Sequence, residues 1–148
     1  MEECVIELQT QILPNSCMSA CLAMILSIPQ QDIIGSFHEK YIAAKMEPRS
    51  VLQAAGMPFR RMYADERKML PGHTYLLSVP SLNIKDGWHC IIAQCVGEQG
   101  CYIVDPNDGR PKKSHSNTTG LSEEVPLGAW SPIYEFKTSD LVEYYGDE

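Results

Sequence analysis

The stretch that decides the fold reads QILPNSCMSACLAMIL and covers residues 11–26. It begins as a polar loop and continues into an apolar segment whose pattern predicts a helix from Ser16, its N-cap, to about Ile28, where Pro29 ends it. A helix that is apolar almost all round is typical of the centre of a domain. Cys17 falls at the helix start, where unpaired N–H groups and the helix dipole favour a thiolate. Cys17 is therefore a candidate nucleophile.

Length and composition predict one globular domain over residues 1–148. Of its 148 residues, 44% are apolar and 21% are charged. The net charge of −7 and the scattered basic pairs argue against a nucleic-acid partner. The longest apolar run is too short for membrane insertion, and the acidic N-terminus is unlike a signal peptide. We expect a cytoplasmic protein, or one delivered to another cell without a cleavable signal, and the oligomeric state stays open.

The six cysteines are predicted to be free thiols. They are Cys4, Cys17, Cys21, Cys90, Cys95 and Cys101. The sequence shows no export signal, and four of the cysteines lie in apolar surroundings: Cys21, Cys90, Cys95 and Cys101. Reduced core thiols are therefore expected in preference to disulfides.

Helical patterns come first in the chain and strand patterns follow. After the first helix, an irregular helix is predicted from Pro29 to Tyr41 and another over 48–55, ended by Gly56. Strands are predicted over 57–63, 74–79, 88–96, 101–104 and 130–136, with a long surface loop over 110–128 and a short helix over 138–143. This order predicts an α+β fold whose sheet is mostly antiparallel.

Two further residues that can carry chemistry lie on adjacent predicted strands. His89 opens the strand 88–96, and Asp105 follows the strand 101–104. If these strands form a hairpin, simple pairing places Asp105 opposite Ile92, three residues from His89. The register alone therefore does not bring the histidine and the acid into contact.

A cysteine hydrolase needs more than a thiolate. A histidine must hold and donate the proton, a third polar group must orient the imidazole, and N–H donors must stabilise the oxyanion. His89 and Asp105 are candidates for the first two roles. The side-chain amide of Gln11, six residues before Cys17, and the backbone N–H of Cys17 are candidate oxyanion donors.

The order and spacing of these residues resemble the papain-like cysteine peptidase superfamily. The chain is most similar to the bacteriocin-processing (double-glycine) peptidase domain of peptide-exporting transporters and to its stand-alone relatives. That pattern has a Gln six residues before an Asp-Cys-Gly helix start, a Gly-His opening a strand, and an Asp-Pro-x-x-Gly after the next strand. The matching residues here are Gln11, Cys17, Gly87-Trp88-His89, Asp105-Pro106 and Gly109.

The resemblance implies a papain-like fold, with an N-terminal helical half that carries Cys17 packed on a C-terminal antiparallel sheet that carries His89 and Asp105. It implies that Cys17 is the nucleophile, that His89 is the general base and acid, that Asp105 orients the imidazole and that Gln11 lies in the oxyanion hole. The expected substrate is a peptide or protein, with no cofactor and no metal.

The chain departs from the family pattern beside the cleft. Ser16 and Met18 replace the Asp and Gly that flank the family's cysteine, and Trp88 separates Gly87 from His89. We expect Ser16, Met18 and Trp88 to line the substrate cleft, although Trp88 fits a core position equally well. These changes leave open whether double-glycine specificity is retained.

Other functions fit the same residues. The triad could serve another acyl transfer, such as deamidation of a protein glutamine by a bacterial effector, or the chain could be a catalytically silent peptide-binding module in which Cys17 is a structural thiol. A zinc site of Cys17, Cys21, His89 and Cys90 is disfavoured because the spacings match no common structural zinc pattern. Alternation along a strand also predicts that Cys90 points away from His89.

Overall fold

The structure is a computed structural model that describes residues 3–63, 65–66, 68–83, 87–96, 100–107, 117–122 and 130–146. Its central helix is α1, Cys17–Leu26, in which every residue from Met18 onward is buried. The helix ends at Leu26, two residues before Ile28, and Ser27 follows in the left-handed conformation (φ 55°). The predicted helix and its central burial are confirmed.

The later helices follow the predicted order. The irregular helix consists of α2 (Gln30–Ile33), a π-helical turn (Ile34–His38) and α3 (Glu39–Ile42). Helix α4 (Pro48–Ala55) ends, as predicted, at Gly56, whose φ of 72° favours glycine. Helix α5 spans Thr138–Gly146. No single helix in the described part of the chain is long and apolar enough to cross a membrane, and only α1 with Gln30–Ile42 meets that test as a pair, bent by 119°.

The sheet contains six strands among the described residues, in the order β1-β6-β2-β3-β4-β5, and all neighbours are antiparallel. The strands are β1 (Arg60–Arg61), β2 (His73–Pro80), β3 (Trp88–Cys95), β4 (Cys101–Val104), β5 (Asn117–Ser122) and β6 (Ser131–Lys137). Strand β1 is much shorter than the predicted strand over 57–63.

Strand β5 lies inside the stretch 110–128, which was predicted to be a loop, and that prediction is wrong for residues 117–122. Pairing with β4 uses backbone groups, so a polar sequence without alternation can still form the strand. The rest of the predicted loop lies outside the described residues, as do Gly109 and most of the turn between β3 and β4.

The α+β class is confirmed by the way the helices cover the sheet. Leu22 and Ile25 of α1 belong to one core cluster with Ile92 and Val104, which point to one face of the sheet. Ile91 and its alternating neighbours on β2, β3 and β4 form a second cluster on the other face. The first cluster therefore brings α1 against β3, the strand that begins with Trp88 and His89.

One expectation about the cysteines is wrong. Cys95 and Cys101 form a disulfide, because the β3–β4 register places them directly opposite each other, with Cα atoms 4.1 Å apart. Cys21 and Cys90 are buried free thiols, as expected, and Cys4 and Cys17 are free and partly buried.

Candidate active site

The loop before α1 is held in place by two glutamine side chains. Gln9 donates to the carbonyl of Ile28 (2.7 Å) and accepts from the backbone N–H of Gln30 (3.0 Å). Gln30 in turn donates to the carbonyl of Thr10 (2.7 Å) and accepts from the N–H of Ile12 (3.1 Å). These reciprocal bonds attach the loop to the α1–α2 turn, so the start of α1 has a defined position.

Ser16 occupies the N-cap position of α1, but its side chain does not cap the helix. Its hydroxyl accepts from the N–H of Leu13 (3.0 Å) and donates to the Leu13 carbonyl (3.1 Å), inside the loop. Ser16 is fully buried and is not among the residues that line the cavity beside Cys17. The expectation that Ser16 lines the cleft therefore does not hold, because its side chain turns into the loop.

Gln11 lines that cavity and is buried. Its backbone N–H donates to the carbonyl of Pro106 (2.6 Å), which joins the loop to the turn after β4. Its side-chain Nε2 donates to the carbonyls of Leu13 (2.9 Å) and Pro14 (3.2 Å). The amide nitrogen is thus engaged within the loop and must turn before it can meet a substrate.

His89 and Asp105 meet in the structure. The Nε2 atom of His89 lies 2.6 Å from Oδ1 of Asp105, and the same oxygen accepts from the N–H of Asn107 (2.8 Å). In the observed register Ile92 pairs with Val104, whereas simple pairing predicted Ile92 opposite Asp105. This shift of one residue brings Asp105 one position nearer to His89. Asp105 is fully buried, and its carboxylate fixes the orientation of the ring.

Cys17 lines the same cavity as His89, and the two residues change each other's pKa. Hydrogen bonds with the Cys90 thiol and, more weakly, with His89 lower the pKa of Cys17 to about 4, although burial opposes them. Burial lowers the pKa of His89, but hydrogen bonds with Asp105 and Cys17 outweigh it and raise that pKa to about 9. Between these values the two residues form a thiolate–imidazolium pair, the reactive form of a cysteine nucleophile.

Cys90 is the residue at this site that the sequence pattern missed. Alternation predicts that it points away from His89, yet both side chains line the cavity with Cys17. The Sγ of Cys21 donates to the Cys90 carbonyl (3.5 Å), which holds the start of β3 against α1. One sequence feature could have pointed to Cys90: Cys17 and Cys21 are one helical turn apart and so lie on the same face of α1. A cysteine on the strand that packs against that face is then a candidate neighbour.

The cavity beside Cys17 has a volume of about 330 Å³. Met18 and Trp88 line it, and Trp88 is 66% exposed. Burial raises the pKa of Tyr41 to about 12, so its phenol remains protonated. The other lining residues share a neutral side chain; they are Gln11, Pro14, Asn15, Ser78, Ser81, Asn83, Asn107 and Ile133, together with Cys90. Among the described residues, the Cys17–His89 pair therefore supplies the only charges that line this cavity.

The site was compared with metal-binding arrangements, and the chain with known proteins. Within the described ranges, no group of three His, Cys, Asp or Glu side chains is arranged to hold a metal ion. No family model, curated protein or solved structure matches the chain. The chemistry of the site itself is therefore the basis for inferring a function.

Proposed function

We propose that the protein is a papain-like cysteine hydrolase that cleaves a peptide or amide bond in a peptide or protein substrate. The observation that carries the proposal is the His89 ring, held at 2.6 Å by the buried carboxylate of Asp105, on the same cavity as Cys17 at the start of α1. An acid, an imidazole and a thiol in that order form the arrangement that nucleophilic catalysis by cysteine requires.

In the first half of the reaction the Cys17 thiolate attacks the carbonyl carbon of the scissile bond. The electron pair of the carbonyl moves onto oxygen, and collapse of the tetrahedral intermediate breaks the carbon–nitrogen bond. The His89 imidazolium gives its proton to the departing amine. A thioester on Cys17 and a neutral imidazole remain.

In the second half neutral His89 takes a proton from water, and the resulting hydroxide attacks the thioester. The carboxylic acid leaves, and Cys17 returns to the thiolate while His89 is again protonated. Asp105 keeps the ring in one orientation throughout and stabilises its charged form.

The start of α1 supplies the electrostatic part of the mechanism. The first-turn N–H groups of a helix lack intrahelical partners and lie at the positive end of its dipole. The backbone N–H of Cys17 is thus the first oxyanion donor. Gln11 becomes the second when its amide exchanges the carbonyl of Pro14 for the substrate oxygen, a short movement because Gln11 already lines the cavity.

A labelling experiment tests the nucleophile without knowledge of the substrate. Treatment with iodoacetamide at pH 5.5, followed by peptide mapping, should modify Cys17 far faster than Cys4. Cys4 is the matched comparison, because it is also partly buried but burial raises its pKa. Equal labelling of the two would contradict the proposed thiolate and favour a binding module.

A turnover experiment separates the reaction types. Peptide and protein-glutamine libraries are incubated with the protein, and new amino termini and released ammonia are measured in parallel. New termini identify a peptidase, whereas ammonia without new termini identifies a deamidase with the same triad. The rate should rise as the pH increases through about 4 and fall as it increases through about 9, because Cys17 must be ionised and His89 protonated. Activity retained by both Cys17→Ala and His89→Ala would overturn the proposal.

A further inference from the structure

A second cleft adjoins the candidate active site, at the edge of the sheet, and we call it the edge cleft. It has a volume of about 170 Å³ and lies between the start of α4 and the strands β1 and β6. Glu47 and Arg49 line it from the helix side, and Arg61 and Ile133 line it from the strands. Ile133 also lines the cavity beside Cys17, so the two clefts meet at this side chain.

Ile133 is the extra residue of a bulge in β6. Leu76 and Leu77 of β2 pair with Tyr134 and Pro132, so the intervening Ile133 has no opposite residue on β2. Bulges change the direction of a side chain and are common beside active sites. An extended substrate can therefore pass from the active-site cavity over Ile133 into the edge cleft.

The strand register places Arg61 on the same face of the sheet as the active-site cavity. Arg61 pairs with Tyr134, which belongs to the core cluster on the face that packs against α1, together with Cys90. Side chains of directly paired residues share a face, and successive residues along a strand alternate between faces. Arg60, the preceding residue of β1, therefore lies on the opposite face.

The two arginines of β1 also differ in their partners. Arg60 forms ion pairs with Glu66 at 2.7 Å and with Glu135 at 3.0 Å. Arg61 is exposed and has no carboxylate partner among the described residues. Its Cζ lies 5.3 Å from the centre of the Tyr63 ring, a cation–π contact that restricts the side chain but provides no oxygen acceptor.

The other charges that line the edge cleft, among the described residues, balance each other. Glu47 and Arg49 form an ion pair at 2.6 Å. Arg61 therefore gives the edge cleft a net positive charge, although the chain as a whole carries a net charge of −7. A guanidinium binds a carboxylate through two parallel hydrogen bonds, so this cleft favours an acidic group.

We propose that the edge cleft is a substrate-binding subsite in which Arg61 binds the carboxylate of an Asp or Glu side chain. The inference rests on the proposed function, because the acidic residue belongs to the peptide that Cys17 attacks. Three strand spacings, and two residues along the strands, separate Arg61 from Cys90, which is roughly 16 Å at ordinary sheet dimensions. An extended peptide covers that distance in about five residues. The acidic residue is thus expected about five residues from the scissile bond.

The test selects peptides with the full chain carrying Cys17→Ala, which cannot cleave them. A random dodecapeptide display library is bound to this protein, and the bound peptides are sequenced. Asp or Glu should be enriched at one position of the aligned peptides. In Arg61→Glu the enrichment at that position should change to Lys or Arg, because the charge of the cleft is reversed. Arg60→Gln is the matched control on the same strand and should keep the acidic preference.

Affinity gives the magnitude of the effect. A selected peptide and its counterpart with Asn or Gln at the enriched position are compared by fluorescence anisotropy. The acidic peptide should bind about 3- to 10-fold more tightly, as expected for an exposed bidentate pair, and high salt should reduce this difference. Arg61→Gln should remove the difference, and Arg60→Gln should retain it.

Absence of acidic enrichment, enrichment that survives Arg61→Glu, or an equal loss in Arg60→Gln would overturn the inference. The proposed function is tested separately by the labelling of Cys17, which does not depend on Arg61. A reactive Cys17 without an acidic preference would refute the subsite alone. An acidic preference with an unreactive Cys17 would refute hydrolysis and leave the edge cleft as part of a peptide-binding module.

Discussion

Strand β3 carries a cysteine near each end, and the two cysteines have different partners. Cys90, near the first end, belongs to the face of the sheet that packs against α1 and remains a thiol beside Cys17. Cys95, at the other end, belongs to the opposite face and is bonded to Cys101 of β4. Burial does not separate them, because their exposed fractions are 8% and 3%.

Cys90 and Cys95 differ in the position of the cysteine nearest to each in the fold. Cys95 and Cys101 are directly opposed on neighbouring strands of one sheet and form a disulfide. Cys90 instead lies on the same cavity as Cys17, which belongs to another layer, at the start of α1. Interactions with Cys90 and His89 lower the pKa of Cys17 there. We infer that sulfur serves reactivity at the first end of β3 and stability at the other, and this division can be tested.

The largest effect is expected for His89→Ala, at the reactive end. Loss of the imidazole removes both the proton donor and the charge that stabilises the thiolate. The rate of hydrolysis at pH 7 should fall by about 10³-fold or more, and the alkylation midpoint of Cys17 should rise above about 4. Steady-state kinetics measure the rate, and the pH profile of alkylation measures the midpoint. An unchanged midpoint would show that His89 does not stabilise the Cys17 thiolate.

Asp105→Asn removes the charge from the buried partner and keeps its shape. The hydrogen bond and charge of Asp105 raise the pKa of His89, so the variant should have a lower one. The upper limit of activity, near pH 9 in the parent, should move down, with a loss of about 10- to 100-fold at pH 8 and a smaller loss at pH 6. A parallel loss at both pH values would indicate misfolding instead of a changed ionisation.

The combined change of Cys95 and Cys101 to serine tests the stable end. The disulfide closes a short loop, with a sequence separation of 6, and its loss should lower the free energy of unfolding by about 2 kcal/mol. Urea denaturation measures this change. The alkylation midpoint of Cys17 should remain that of the parent, and a shift there would show that the two ends of β3 are coupled.

Trp88→Ala should have the smallest effect on the fold. Trp88 is 66% exposed, so the free energy of unfolding should change by less than about 0.5 kcal/mol. Because Trp88 lines the cavity, KM should rise by about 2- to 10-fold, the contribution of one aromatic contact. A large fall in Tm with no change in KM would assign Trp88 to the core instead.

Local patterns were enough to predict the start of α1 and the order of helices followed by strands, except for β5. The apolar run after Ser16 specifies a buried helix by its periodicity, and His89 and Asp105 occupy strand ends that a hairpin brings near each other. Their contact itself was not predictable, because a shift of one residue in register decides it.

The features that sequence patterns missed depend on packing between distant segments. Ser16 is a good N-cap residue, but its hydroxyl bonds to Leu13 instead. The place of Cys90 beside Cys17 depends on how α1 crosses β3, which no pattern within either element specifies. The catalytic roles of Gln11, Cys17, His89 and Asp105 remain predictions until turnover is measured.

The hydrogen bond from the Gln11 N–H to the Pro106 carbonyl has a consequence for amide exchange. It joins the loop before α1 to the turn after β4, so this proton can exchange with deuterium only when the two segments part. Its exchange rate thus reports the free energy of opening the candidate active site, separately from fraying of the strands. A bound peptide that bridges the two segments should slow this exchange, which gives a way to detect ligands before any turnover is known.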